Sequence, residues 1–108
     1  MRAEELRINN YLEDDIGNII VVDRDALPFI VTKWIKCHHP IPLTEEWLLK
    51  FGFEKLEGWD DMYYFQIGDF QIHEYNVSGY EFDDFDIKNV HQLQNLYFAL
   101  TGEELTIK

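Results

Sequence analysis

Met62-Tyr63-Tyr64-Phe65-Gln66-Ile67-Gly68-Asp69-Phe70-Gln71-Ile72-His73-Glu74-Tyr75 has the form of a β-hairpin, two aromatic-rich runs around a two-residue Gly68-Asp69 loop. Side chains alternate across a strand, so Phe70, Ile72 and Glu74 share one face, and Gln71, His73 and Tyr75 the other. On the C-terminal side Asn76 to Gly79 turns the chain, and Tyr80-Glu81-Phe82 and Phe85-Asp86-Ile87 read as one or two further short strands. A helix comes last: Val90, Leu93, Leu96, Tyr97 and Leu100 fall on one side, Asn89 caps the start and Thr101-Gly102 ends it.

On the N-terminal side of the hairpin, Thr44 is an N-cap candidate with Glu45 and Glu46 in the first turn. Trp47, Leu48 and Phe51 make an apolar stripe, and Gly52 sits at C′. This helix is too short to hold alone, so its stripe must be buried. Before it, Cys37-His38-His39-Pro40-Ile41-Pro42 reads as a stiff connector, because proline fixes its own φ and extends the residue before it. Phe29 to Lys36 is aromatic and β-branched and predicts a strand after a Leu27-Pro28 breaker. Arg7 to Glu13 and Ile19-Ile20-Val21-Val22 flank the turn cluster Asp14-Asp15-Ile16-Gly17-Asn18 and predict another hairpin. The expected fold is therefore one α+β domain over residues 1–108. It has a mostly antiparallel sheet of five to seven strands, open or curled toward a small barrel, with a short middle helix and a C-terminal helix covering one face.

The chain has 108 residues, with 46% apolar and 16% aromatic residues, which suits one folded core rather than a disordered chain. Nine Lys plus Arg against 21 Asp plus Glu leave a net charge of -12. Duplex nucleic acid and anionic membranes would be repelled, and no apolar run is long enough to span a bilayer. The charged start, Met1-Arg2-Ala3-Glu4-Glu5, lacks the apolar core of a secretory signal, which predicts a cytoplasmic location. Cys37 is the sole cysteine, which fits a reducing compartment and removes any intramolecular disulfide.

Three segments carry a resemblance. Leu6-Arg7-Ile8-Asn9-Asn10-Tyr11 resembles an "LRIGNYV" opening, and Ile41-Pro42-Leu43-Thr44-Glu45-Glu46-Trp47-Leu48-Leu49-Lys50-Phe51-Gly52-Phe53 resembles an "IPLTEEILLKCGF" centre. Residues 89–105, from Asn89 through Leu105, resemble a C-terminal signature. The pattern is that of small uncharacterised proteins of Bacteroides-type genomes and their prophages, and covers about a third of the chain in the right order. The resemblance implies a prophage or mobile-element association, and the family has no established activity to transfer. Where relatives commonly have Gly this chain has Asn9, which also tolerates φ > 0. Glu54 to Asp86 matches nothing in the pattern.

The candidate chemistry is sparse. Cys37, His38 and His39 carry zinc-binding atoms, but neighbours in an extended chain point apart, so only Cys37 and His39 converge, and a structural zinc site wants four ligands. Pairing Cys37 with His73 or His91 would make a nucleophile and base, without any signature that activates the thiol. The acidic group Glu81, Asp83, Asp84, Asp86 lacks the Gly and Glu positions of an EF-hand loop. His91 and Asn95 share a helix face with Phe98, a patch suited to satisfying buried backbone groups or to meeting a partner.

Charge distribution says more than charge total. Residues 1–55 carry seven basic and ten acidic groups, and residues 56–108 carry two and eleven, so -9 of the -12 lies in the second half. From Leu56 to Ile87 there are nine acids and no Lys or Arg, interleaved with nine aromatic residues. Aromatic anchors in an acidic field suit a basic protein partner, or the basic groove of a DNA-binding protein. The candidate partner-binding residues are Trp59, Asp60, Asp61, Tyr63, Tyr75, Tyr80, Glu81, Asp83, Asp84 and Asp86. The leading expectation is a non-catalytic binding or adaptor protein needing no cofactor. The alternative is a small metal protein or enzyme using Cys37 and the histidines.

Overall fold

A computed structural model describes residues 6–30, 37–58, 62–75, 79–82 and 85–107. The elements run β1 (Tyr11–Asp14), β2 (Ile19–Val21), α1 (Ala26–Phe29), β3 (His38–Pro40), α2 (Glu45–Phe51), β4 (Glu54–Glu57), β5 (Tyr63–Ile67), β6 (Phe70–Tyr75), β7 (Gly79–Phe82), β8 (Phe85–Ile87) and α3 (Val90–Thr101). This is an α+β fold with antiparallel strands, a short middle helix and a longer C-terminal helix. The strands divide into two open sheets, ordered β2-β1-β3 and β4-β5-β6-β7-β8. Neither closes into a barrel. The chain forms two compact units: Met1–Pro42 with Asn89–Glu104, and Leu43–Lys88 with Leu105–Lys108. Among the described residues no helix is long and apolar enough to cross a membrane.

The first unit is built on β1. Leu12 is fully buried and clusters with Leu6, Val22 and Ile30, with Leu27 packed against them. Asn9 has φ 78°, and Asn10 N–H returns to the Arg7 carbonyl at 3.2 Å, so Asn9 takes the turn position that needs a positive φ. Asn9 N–H donates to Val22 C=O and Val22 N–H to Asn10 C=O, so two residues of one strand oppose a single residue of the other. That is a β-bulge, with an asparagine where glycine is usual.

Three expectations change here. Cys37 to Pro40 is not a simple connector: His38, His39 and Pro40 pair with Asp14, Glu13 and Leu12 as an edge strand. Proline is tolerated there because an edge strand leaves one side of its backbone unladdered. Leu27 and Pro28 lie within α1 rather than breaking the chain, opened by Leu27 N–H to Asp23 C=O at 3.0 Å. Proline in a first turn forfeits no intrahelical bond. Phe29 belongs to that helix, Ile30 follows it outside any named strand, and residues 31–36 of the expected strand lie outside the described residues.

The third change is the face that α3 buries against β1. Val90, His91, Leu93, Gln94 and Tyr97 are buried, whereas Leu100 is 56% exposed. Gln94 takes the inward place because backbone requires it. Its Oε1 accepts from Tyr11 N–H and its Nε2 donates to Asn9 C=O, both at 2.8 Å. The amide thus continues the β1 ladder beyond the last β3 pair, Leu12 with Pro40. Beside it, Asn95 Oδ1 accepts from Arg7 Nε and from Asn10 Nδ2, each at 2.9 Å. Asn10, itself fully buried, accepts from Arg7 N–H at 2.7 Å. The Arg7 guanidinium grips both carboxylate oxygens of Glu104 at 2.8 and 3.3 Å and lies 4.3 Å from the centroid of the Phe98 ring.

The second unit is a meander with α2 before it. Thr44 Oγ1 accepts from Trp47 N–H, and Gly52 and Phe53 N–H groups return to Leu49 and Leu48 as in a Schellman closure, with Gly52 at φ 97°. Leu48, Phe51, Phe53, Phe65, Phe70 and Ile72 are buried in this unit. Phe70 stacks on Phe82 at 5.0 Å and meets Phe53 edge-on at 6.2 Å. The Gly68-Asp69 loop joins β5 to β6 with Ile67 opposite Phe70, as its sequence predicts.

Replacing Gln94 by Ala leaves Tyr11 N–H and Asn9 C=O without this partner, and each unsatisfied buried group costs roughly 1–3 kcal/mol. Denaturant unfolding of Gln94→Ala should therefore lose at least about 2 kcal/mol, and a loss below about 0.5 kcal/mol would refute the ladder role. At the bulge, Asn9→Gly should be tolerated while Asn9→Val costs at least about 1 kcal/mol, because a β-branched residue resists positive φ.

Candidate functional site

Register across the five-stranded sheet decides which predicted residues share a surface. Directly paired residues point to the same face. Glu57, Tyr63, Glu74, Tyr80 and Ile87 form one cross-strand row, and Lys55, Phe65 and Ile72 lie on the same face in the next. Phe65, Ile72 and Ile87 are buried, so this is the core face. The opposite face carries the row Leu56, Tyr64, His73, Glu81, Asp86.

The candidate residues are therefore split. Tyr63 and Tyr80 stand half-buried at one end of the core face, and Glu81 and Asp86 lie on the other. Tyr75 ends β6 in register with Gly79. Trp59, Asp60, Asp61, Asp83 and Asp84 lie outside the described residues. Leu56, Tyr64 and His73 were not among the candidates, yet they share the face of Glu81 and Asp86. Alternation carried from buried Phe65 to Tyr64, and from Ile72 to His73, is the signal that finds them.

Around Tyr63 and Tyr80 the core face becomes polar. Lys55 sits 4.1 Å from the centroid of the Tyr63 ring and pairs with Glu45 at 2.5 Å, and that hydrogen bond holds its ammonium above the ordinary range. Glu74 Oε2 is buried without a hydrogen-bond partner. Burial first, then the charges of Glu74 and Glu45, push the Tyr80 phenol up to about 12. A shallow depression beside Tyr63 is lined by Glu57, Gly58, Met62 and Tyr63.

The second face is organised by Tyr64. Its ring meets His73 edge-on at 4.6 Å, and His73 is paired across the strands with Glu81. Gly58 allows this placement, since a Cβ there would run into the Tyr64 ring. Leu56 and Asp86 extend the row to the two edge strands, and both are exposed.

Cys37 is exposed, and His39 Nε2 lies 2.6 Å from Asp15 Oδ1 across the first sheet. Among the described residues no group of three His, Cys, Asp or Glu side chains converges to hold a metal. Of the α3 patch, Asn95 serves Arg7 and Asn10, while His91 is buried. Comparison with protein-family models, curated proteins and solved structures finds no match.

Two outcomes follow from this geometry. In an alkaline absorbance titration one phenol should ionise near pH 12, be lost in Tyr80→Phe, and move toward the ordinary 10.0 in Glu74→Gln. Because the folded value is raised, the stabilisation is complete below pH 10.0 and disappears as pH rises through about 12. Gly58→Ala should displace the Tyr64 ring rather than unfold the sheet, read as loss of its ring-current shift on the His73 protons. An unchanged shift would contradict the contact.

Proposed function

We propose that this chain is a non-catalytic binding protein that docks a basic protein surface on the second face of its five-stranded sheet. The observation that carries the reading is the cross-strand row Leu56, Tyr64, His73, Glu81, Asp86, which sets an aromatic ring and an aliphatic side chain beside carboxylates. A tyrosine supplies contact area at low entropic cost, and the acids steer a cationic partner. The absence of Lys and Arg from Leu56 to Ile87 leaves that field uncompensated within the segment. Duplex nucleic acid and anionic membrane are disfavoured by the same charge. The resemblance of three segments to prophage-borne proteins supports a mobile-element setting, and the sole cysteine supports a reducing compartment, the cytoplasm.

The test is affinity capture from extract of the native host at low and high salt, comparing the wild-type chain with Glu81→Lys/Asp86→Lys and with Tyr64→Ala. A basic protein should be retained at low salt and released at high salt. Affinity should fall at least about tenfold in either variant, with the melting temperature unchanged in the charge-reversed one. Equal retention by the charge-reversed variant would move the site off this face. Failure to retain any partner at low salt would defeat the binding reading.

A further inference from the structure

Strand β2 is the outer edge of the three-stranded sheet, and among the described residues no strand pairs with its far side. Its hydrogen-bonding phase is fixed at both ends. Val22 N–H donates to Asn10 C=O at 2.8 Å, and Asp14 N–H donates to Asn18 C=O at 2.9 Å. Bonded and non-bonded pairs alternate along an antiparallel ladder. Ile20, opposite Leu12, therefore turns its backbone groups inward, whereas Ile19 and Val21 turn theirs outward. The free edge presents two donors and two acceptors. Side chains on the same stretch are also exposed: Ile19 and Val21 at 48% each, and Ile16 in the adjoining turn at 83%. Edge strands are commonly blunted by Lys, Pro or an inward charge, and Ile19-Ile20-Val21 has none of these.

Charge selects the occupant. From Glu13 to Asp25 the chain carries five carboxylates and one guanidinium, placed on both sides of the β-branched run. A second copy paired antiparallel along β2 would bring the Asp14-Asp15 end of one chain to the Asp23-Asp25 end of the other, against a net charge of -12 on each. We propose that the β2 edge is a strand-addition site for an extended segment of a partner protein, β-branched in its centre and flanked on both sides by Lys or Arg. Backbone bonds to Ile19 and Val21 set the register, the aliphatic side chains cover one another, and the basic flanks meet the carboxylates. The site uses none of the residues of the five-stranded sheet and stands or falls separately from the reading above.

The probe is a capped peptide of alternating Val and Thr with two Lys at each end, titrated into the full chain and followed by NMR and amide exchange. Shifts and exchange protection should concentrate at Ile19 and Val21. Binding should weaken at least about tenfold in Val21→Lys, and also in the milder Ile19→Thr/Val21→Thr, which keeps the β-branched character of the strand. Methylating the peptide nitrogens that face β2 should abolish it. Equal binding of a Glu-flanked or N-methylated peptide, or perturbation confined to other strands, would overturn the proposal. So would concentration-dependent protection of Ile19 and Val21 without peptide, which would assign the edge to a second copy.

Discussion

Two side-chain amides on α3 hold the first unit together. Gln94 completes the backbone ladder of β1 at Asn9 and Tyr11, and Asn95 collects Arg7 and Asn10. Buried polar groups are costly unless bonded, and here both amides tie the start of the chain to its last helix. The bulge at Asn9-Asn10 follows from the same arrangement. It turns Asn10 inward to Asn95 while the strand continues to Leu12, the centre of the apolar cluster. The Arg7–Glu104 pair is partly exposed and bidentate, so it orients the guanidinium more than it stabilises the fold.

In the second unit the governing constraint is the period of two. Once Phe65 and Ile72 are committed to the core, Tyr64 and His73 are committed to the opposite face, and register extends that face to Leu56, Glu81 and Asp86. Tyr80 and Glu81 are adjacent in sequence and belong to different chemistries. Tyr80 sits where burial and carboxylates suppress its ionisation, and Glu81 sits across from an imidazole. An acidic, aromatic stretch thus becomes two surfaces, of which one is mostly core.

The features legible in the sequence are those that a few neighbouring residues determine. Gly68-Asp69 set the hairpin, Thr44 and Gly52 bounded the middle helix, and Asn89 and Gly102 bounded the last one. What escaped depends on partners far along the chain. His38 to Pro40 looks like a breaker locally and becomes a strand only because Leu12 to Asp14 offers a ladder. Gln94 looks like a surface residue, and Leu100 like a core one, until the Tyr11 amide beyond the end of the β1–β3 ladder, 83 positions away, is considered. For the candidate site the deciding information is register, since alternation within β6 alone does not say which residues of β7 and β8 share its faces.

The chain segments of the two units are nested, the first unit drawing its residues from both sides of the segment that forms the second. Bringing Arg7 to Asn95 closes a stretch of 88 residues, and for a flexible chain the length-dependent entropy of that closure is about 4 kcal/mol. The meander between them consists of antiparallel neighbours joined in sequence order, so its own pairings are short-range. Compacting it first draws positions 43 and 88 together, as the bond from Leu43 N–H to Lys88 C=O records, and so shortens the effective length of the remaining closure. The connectivity thereby sets unequal closure costs: the pairings of the meander span few residues, and the amide bonds that join the beginning of the chain to its last helix span most of it.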